Sequence, residues 1–153
     1  RGEVVLFVHA DTWLTRDAGP ALQRCLRDPL VVGGGFWKRF RSVPWMLRGS
    51  RFRCWLRLWW SGRILGDQAV FVRREALEAV GGVPDQPLME ELELCRRLRR
   101  RGRLALAGAA VTTSERRFRK HGFVRTYWRM WQVMRAYRRG VSPEELERMY
   151  EGR

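Results

Sequence analysis

Val4–Val8 is an unbroken run of five apolar residues, and polar His9-Ala10-Asp11-Thr12 follows it at once. A run that short, bounded so sharply, reads as a strand buried on both faces, the kind found in sheets covered by helices. Ala69–Val72 is a second run of this sort. Between the two, Ala18, Ala21, Leu22, Cys25 and Leu26 recur at helical spacing, with Asp17 placed to cap and Pro20 in the first turn. Leu30–Val32 and Phe36–Phe40 read as extended segments on either side of Gly33-Gly34-Gly35.

Arg74–Val80 reads as a short helix stopped by Gly81-Gly82, and a second helix runs from Met89 to Arg101 with Gly102 as its stop. Leu104–Leu106 and Ala110–Thr113 are strand-like. Phe123, Tyr127, Met130, Met134 and Tyr137 mark a long amphipathic helix. Ser142-Pro143-Glu144-Glu145 is a capping box with proline at the first helical position, so one more helix starts there. Strands alternating with helices argue for an α/β protein.

With 153 residues, 45% of them apolar, the chain can bury a core and does not read as disordered. Its formal charge is +15, and arginine supplies nearly all of it, since Lys38 and Lys120 are the only lysines. That balance suggests an anionic partner, whether nucleic acid, an acidic membrane surface or a phosphorylated ligand. An arginine bias also follows from GC-rich coding sequence, which makes nucleic acid the less favoured of these. Cys25, Cys54 and Cys95 are odd in number, far apart and without metal spacing, so they read as small core residues in a reducing compartment. No apolar run reaches the ~18–20 residues of a membrane span. No signal peptide is visible, and the chain opens on Arg1-Gly2 with no initiator Met.

Four groups of residues could carry chemistry. Asp11 follows a buried strand, where ligands of open α/β sheets bind, and a carboxylate there can hold Mg²⁺ or Mn²⁺. His9, two residues away, points the same way if the stretch is extended. Capping of the next turn accounts for Asp11 equally well. Glu90, Glu91 and Glu93 open a helix; they either complement its dipole or include a general base. Gly66-Asp67-Gln68 precedes a strand and is either a turn or a set of sugar-binding groups. Arg116, Arg117, Arg119, Lys120 and His121 form a cationic cluster that could neutralise a diphosphate. The five arginines between Arg96 and Arg101 read as a solvated helix face.

In this order, the pieces resemble a known family. LFVHADTWL (6–14), GGGFWKRF (33–40), the stretch from Gly66 to Gly102 and VTTSERRFRKHG (111–122) are similar to family-2 glycosyltransferases of the GT-A fold. The closest likeness is to the bacterial radical-SAM/selenodomain-associated transferase subgroup. The likeness covers almost the whole chain, and Gly66–Gly102 is its most specific part. It implies a Rossmann-like, mostly parallel sheet with flanking helices and a C-terminal helical extension. The whole is one partial domain, with 1–120 the catalytic part and 121–153 the extension.

The resemblance further implies that Asp11 is the principal ligand of a divalent Mg²⁺ or Mn²⁺, with His9 auxiliary, as in that subgroup's H-A-D. It puts Glu91 of the Glu90-Glu91 pair at the base position, where the family usually has the Asp of an E-D pair. It assigns Gly66, Asp67 and Gln68 to the substrate and Arg116 and Arg117 to the diphosphate, and His121 matches a position that in some GT-A enzymes helps the metal or the diphosphate. The family's leading strand–helix–strand, with its V-I-I-P-x-x-N-E-like nucleotide-binding segment, has no counterpart here. The expectation is therefore that this chain alone holds the metal, acceptor and catalytic parts but only part of the donor pocket, and does not transfer sugar.

The function implied is metal-assisted, inverting transfer from a nucleotide-diphosphate sugar to an acceptor hydroxyl. The setting is cytoplasmic, with a peripheral contact on the inner face of the membrane and a lipid-linked acceptor in view. The alternative is a non-enzymatic module in which Trp45, Trp55, Trp59 and Trp60, set among arginines, grip RNA or an anionic membrane surface.

Overall fold

The computed structural model describes residues 2–41 and 49–151. Trp45, the first of the aromatic residues singled out above, lies outside the described residues. The chain divides into two compact units. One comprises Arg1–Pro84 and Glu91–Ser114, the other Asp85–Glu90 and Glu115–Arg153.

The first unit is a five-stranded sheet with helices. Its elements are β1 (Val4–Phe7), β2 (Thr12–Leu14), α1 (Ala18–Cys25), β3 (Val31–Phe40), α2 (Ser50–Ser61), a short 3₁₀ turn at Gly66–Gln68, β4 (Val70–Arg73), α3 (Arg74–Ala79), α4 (Glu90–Leu98) and β5 (Arg103–Thr113). The strand order is β1-β4-β3-β5-β2. Of these four pairings only β3–β5 is parallel; β1–β4, β4–β3 and β5–β2 are antiparallel. The expectation of a mostly parallel, Rossmann-like sheet is therefore corrected: the sheet is mixed and mostly antiparallel. The alternation of strand and helix is real, but it does not fix strand direction. Between β3 and β4 the chain passes through α2 and returns antiparallel beside the strand it left, so that helix is not a parallel crossover.

β4 is buried on both faces, as its sequence requires. Ala69 and Phe71 join a cluster with Ala18, Ala21, Phe36, Ala107, Ala109 and Val111. Val70 and Val72 join the other, with Val32, Ile64, Ala76, Leu94, Cys95 and Leu98. Alternation along one strand thus feeds two cores. β1, by contrast, is an edge strand of half-buried residues, so its apolar run does not mark a central strand. One face carries Val4 and Leu6 toward the first cluster, while Phe7 packs on the second.

Gly33-Gly34-Gly35 does not separate two segments but lies inside one ten-residue strand. The physical reason is close packing. A Cβ on Gly34 would collide with the Ala105 carbonyl oxygen and come within 2.5 Å of the Phe71 ring, and one on Gly33 would sit 2.8 Å from the Phe71 carbonyl oxygen. Phe71 can then meet Phe36 edge to face, ring centres 5.7 Å apart. The two expected segments after Gly102 are likewise one strand, β5, with a shift in register where Phe36 faces Ala107 but Trp37 faces Ala110. α4 ends at Leu98, three residues before the expected end at Arg101, although the Gly102 N–H still bonds the Leu98 carbonyl.

The second unit holds α5 (Arg116–His121), α6 (Phe123–Arg138) and α7 (Pro143–Glu151). Ser142 caps α7 as its sequence predicts, accepting the Glu145 N–H on Oγ at 3.3 Å. α6 buries Thr126, Val133 and Ala136 rather than the bulkier stripe expected. Val133 and Ala136 meet Leu146 of α7, with Tyr137 and Tyr150 at the margin. Small side chains let the two helices close, and the large ones flank the seam. α5 itself was not anticipated; Phe118, its buried residue, stacks on Phe123 at 5.3 Å.

Candidate functional site

The Gly66–Gln68 turn is the centre of the candidate site, and Gln68 fixes its shape. The side chain is fully buried. Its Nε2 donates to the Phe36 carbonyl at 3.0 Å, and its Oε1 accepts the Leu65 N–H at 3.2 Å and a guanidinium N–H of Arg57. Gln68 thus ties the turn to β3 and α2, and both ends of its amide are engaged within the fold. The chain leaves the turn through Ala69 at φ +50°, a conformation that a residue with a Cβ rarely adopts. Among the described residues Met89, directly before Glu90-Glu91, is the other non-glycine residue at positive φ, at +65°. Backbone strain of this kind gathers at functional sites.

Three segments distant in sequence meet at Gly66. The His9 imidazole packs against its Cα so closely that a Cβ there would strike Nε2. The Gly66 N–H donates to Glu91 Oε1 at 3.5 Å, a long bond. Next to it, Asp67 Oδ2 pairs with Lys38 Nζ of β3 at 2.7 Å, and Asp67 Oδ1 is buried without a hydrogen-bond partner among the described residues. His9, Gly66, Asp67 and Glu91 are thereby brought together, and Lys38 joins them. Sequence reasoning missed Lys38, although one of only two lysines in so arginine-rich a chain is a usable signal.

Asp11 sits in a turn, not in an extended stretch: the Thr12 N–H bonds the His9 carbonyl at 3.0 Å. Strand alternation therefore does not put His9 and Asp11 on one side. The Asp11 carbonyl accepts the Ser114 N–H at 3.1 Å, which anchors the turn to the end of β5. Its carboxylate makes no hydrogen bond or ion pair among the described residues. Nor do three His, Cys, Asp or Glu side chains gather there into a metal cluster. A single free carboxylate does not fit a protein-enclosed ion. It does fit Mg²⁺ or Mn²⁺ that keeps water and shares phosphate oxygens, as Mg²⁺ commonly does.

The other acidic residues differ sharply. Glu90 is half-buried at the first position of α4. Glu93 is held by Arg96 Nε and an Arg96 terminal nitrogen, both at 2.6 Å, and by Arg97 Nε at 2.9 Å. The Arg96 hydrogen bonds, opposed by desolvation and reinforced by Arg97, hold its carboxyl down at about 2. Glu93 is therefore a structural anion. Burial pushes the Cys95 thiol up to about 11, so it is neutral and no nucleophile near pH 7.

The arginines that follow are not merely solvated. Arg97 donates to the Val80 carbonyl, Arg101 to the Ala79 carbonyl and Arg99 to the Ser61 carbonyl, so they cap the C-termini of α3 and α2. Arg73 likewise bonds the Val31 and Leu26 carbonyls, at 2.8 and 2.6 Å. Part of the chain's charge is thus structural.

Arg116, Arg117 and His121 belong to α5 in the second unit, and all three are exposed. The Arg117 guanidinium lies over the Tyr150 ring at 3.9 Å. Desolvation first, and then Lys120, Arg125, Arg129 and Arg117, push the His121 imidazole below its ordinary pKa. No helix among the described residues is long and apolar enough to cross a membrane. No family model and no curated protein matches the chain.

Proposed function

We propose that this chain takes part in inverting transfer of a sugar from a nucleotide-diphosphate donor to an acceptor hydroxyl. The observation that carries the reading is the convergence at Gly66. Residues near positions 9, 67 and 91 meet beside a strained turn, and they bring an imidazole, a lysine–aspartate pair and a second carboxylate into one place. The resemblance of the same segments to family-2 glycosyltransferases supports it independently.

In this reading Glu91 accepts the proton of the acceptor hydroxyl. The freed oxygen forms its bond to the anomeric carbon from the face opposite the diphosphate, the bond to the diphosphate oxygen breaks, and configuration inverts. Asp11 is the carboxylate that would hold the divalent ion, with His9 close by; the ion supplies neutralisation of the diphosphate charge. Gln68 keeps the turn rigid so that the Gly66 backbone and Asp67 are fixed for the sugar. By the resemblance, Arg116 and Arg117 are the charged donors for the diphosphate and His121 an auxiliary one.

Asp11→Asn in the complete encoded protein is expected to abolish Mn²⁺-dependent binding of nucleotide-sugar, with the melting temperature unchanged because that carboxylate supports no fold contact. Calorimetry with and without Mn²⁺ checks it. Unchanged metal-dependent binding overturns the assignment of Asp11.

A specific observation favours a second, compatible property, contact with an anionic membrane. On α2, Phe52 stacks on Trp55 and Trp55 on Trp59, each pair at 5.9 Å, and Trp59 lies beside Trp60. Phe52, Trp59 and Trp60 are 61%, 67% and 80% exposed. Arg51 and Arg53 flank them, and no acidic residue occurs between Asp28 and Asp67. A stripe of exposed aromatics among arginines suits an interfacial helix. The protein is expected to float with phosphatidylglycerol vesicles and not with phosphatidylcholine vesicles, and Trp59→Ser with Trp60→Ser to reduce flotation severalfold. Equal, negligible flotation with both vesicles rules the contact out, and salt-sensitive RNA binding in its place would favour the nucleic-acid alternative.

A further inference from the structure

We propose that the cleft formed by α5, α6 and α7 is a binding site for a phosphate dianion. The cleft has a volume of about 70 Å³, and its charged walls are Arg117, His121, Arg125, Arg129 and Glu151. Three arginines against one glutamate leave a charge of +2 with His121 neutral, which matches a dianion. Thr126, Met130 and Tyr150 complete it.

The arrangement is unfavourable without a ligand. Arg125 and Arg129 lie four residues apart on α6, where like charges repel. Among the described residues none of the three arginines makes an ion pair. Arg129 only reaches the Tyr150 carbonyl, at 3.5 Å. The Arg117 guanidinium carbon is held 3.9 Å from the Tyr150 ring centre at the cleft wall, and guanidinium groups bind phosphate through paired N–H donors. The cleft also adjoins the first turn of the sixteen-residue α6, the positive end of that helix. The Thr126 hydroxyl donates to the Gly122 carbonyl at 2.7 Å and so shapes the wall without serving as a donor. Desolvation first, and then the surrounding cations, lower the His121 pKa, in keeping with a positive cleft.

The site shares Arg117 and His121 with the transferase reading and goes beyond it through Arg125 and Arg129. The two are tested apart: Asp11→Asn bears on the donor and leaves this cleft intact. A phosphate could reach the cleft as a soluble ion or as the monoester headgroup of a lipid. Inorganic phosphate is titrated calorimetrically at low salt into the protein and into Arg125→Ala, Arg129→Ala and Arg138→Ala. Arg138 is an exposed arginine of the same helix outside the cleft. Loss of one charge-assisted contact weakens binding about tenfold, so Arg125→Ala and Arg129→Ala are each expected to lose about tenfold and Arg138→Ala little.

Arg125→Lys retains the charge and the helix but not the fork. It is expected to fall between, and it decides the matter if Arg125→Ala melts early. Phosphatidic acid vesicles that bind in an Arg125-dependent manner, and are displaced by inorganic phosphate, identify a lipid source. Phosphate binding without vesicle binding identifies a soluble one. Absence of phosphate and vesicle binding, or an equal loss in Arg138→Ala, overturns the proposal.

Discussion

Gly34→Ala is expected to destabilise the first unit by about 3 kcal/mol or more, the range of forced overpacking at its upper end. The new methyl would meet the Ala105 carbonyl oxygen on one strand and the Phe71 ring on another. Neither can give way cheaply. Ala105 is held in the parallel ladder opposite Gly34 itself, and Phe71 is fully buried against Phe36. Relief would require β3 to part from β5, the longest pairing in the sheet. Gly108→Ala is the control: a Cβ there meets nothing within 4 Å, and its φ is not in the left-handed region. Chemical denaturation of both variants checks the difference. A Gly34→Ala protein that unfolds at the denaturant midpoint of the parent would show that the three strands do not pack this tightly.

Where burial sets the pattern, the sequence was readable. Ala69–Val72 declared a strand with two buried faces, and it has two. The proline and serine at 142–143 declared a helix start, and Ser142 caps it. Pairing and direction were not readable, because period and apolarity are the same for a strand whichever way its neighbour runs. The glycine triplet misled for a related reason. Glycine signals a turn by its freedom of φ, but here what matters is the missing Cβ, and the atoms that exclude it come from Phe71 and Ala105, far along the chain. The arginines at the end of α4 and just beyond it show the same limit. A run of cations looks solvated until the helix ends that receive them are known. At the candidate site the residue types were legible, whereas Lys38 and the engaged amide of Gln68 depend on tertiary neighbours.

Glu91→Gln is expected to lower sugar transfer by on the order of 10²-fold or more, since a positioned general base contributes about that much, while donor affinity stays close to that of the parent. The amide keeps the size and an acceptor oxygen for the Gly66 N–H, so the turn should hold; it cannot take a proton from the acceptor hydroxyl. Glu90 provides the internal comparison. It is adjacent in sequence and half-buried, and it makes no hydrogen bond to the Gly66 turn among the described residues. Glu93 cannot substitute, because its two arginine partners keep it an ion that holds a proton only near pH 2. The assay is initial rate of transfer, with donor binding measured separately on each variant of the complete encoded protein. A glutamate in the base position reaches one methylene further than an aspartate. Glu91→Asp therefore tests geometry apart from charge: if the base stands where Gly66 holds it, shortening the side chain pulls the carboxylate away from that N–H and transfer falls, though less than for Gln. Should Glu90→Gln be the crippling change and Glu91→Gln nearly silent, the base is the neighbouring carboxylate, and the Gly66–Glu91 bond is only a brace between the turn and α4.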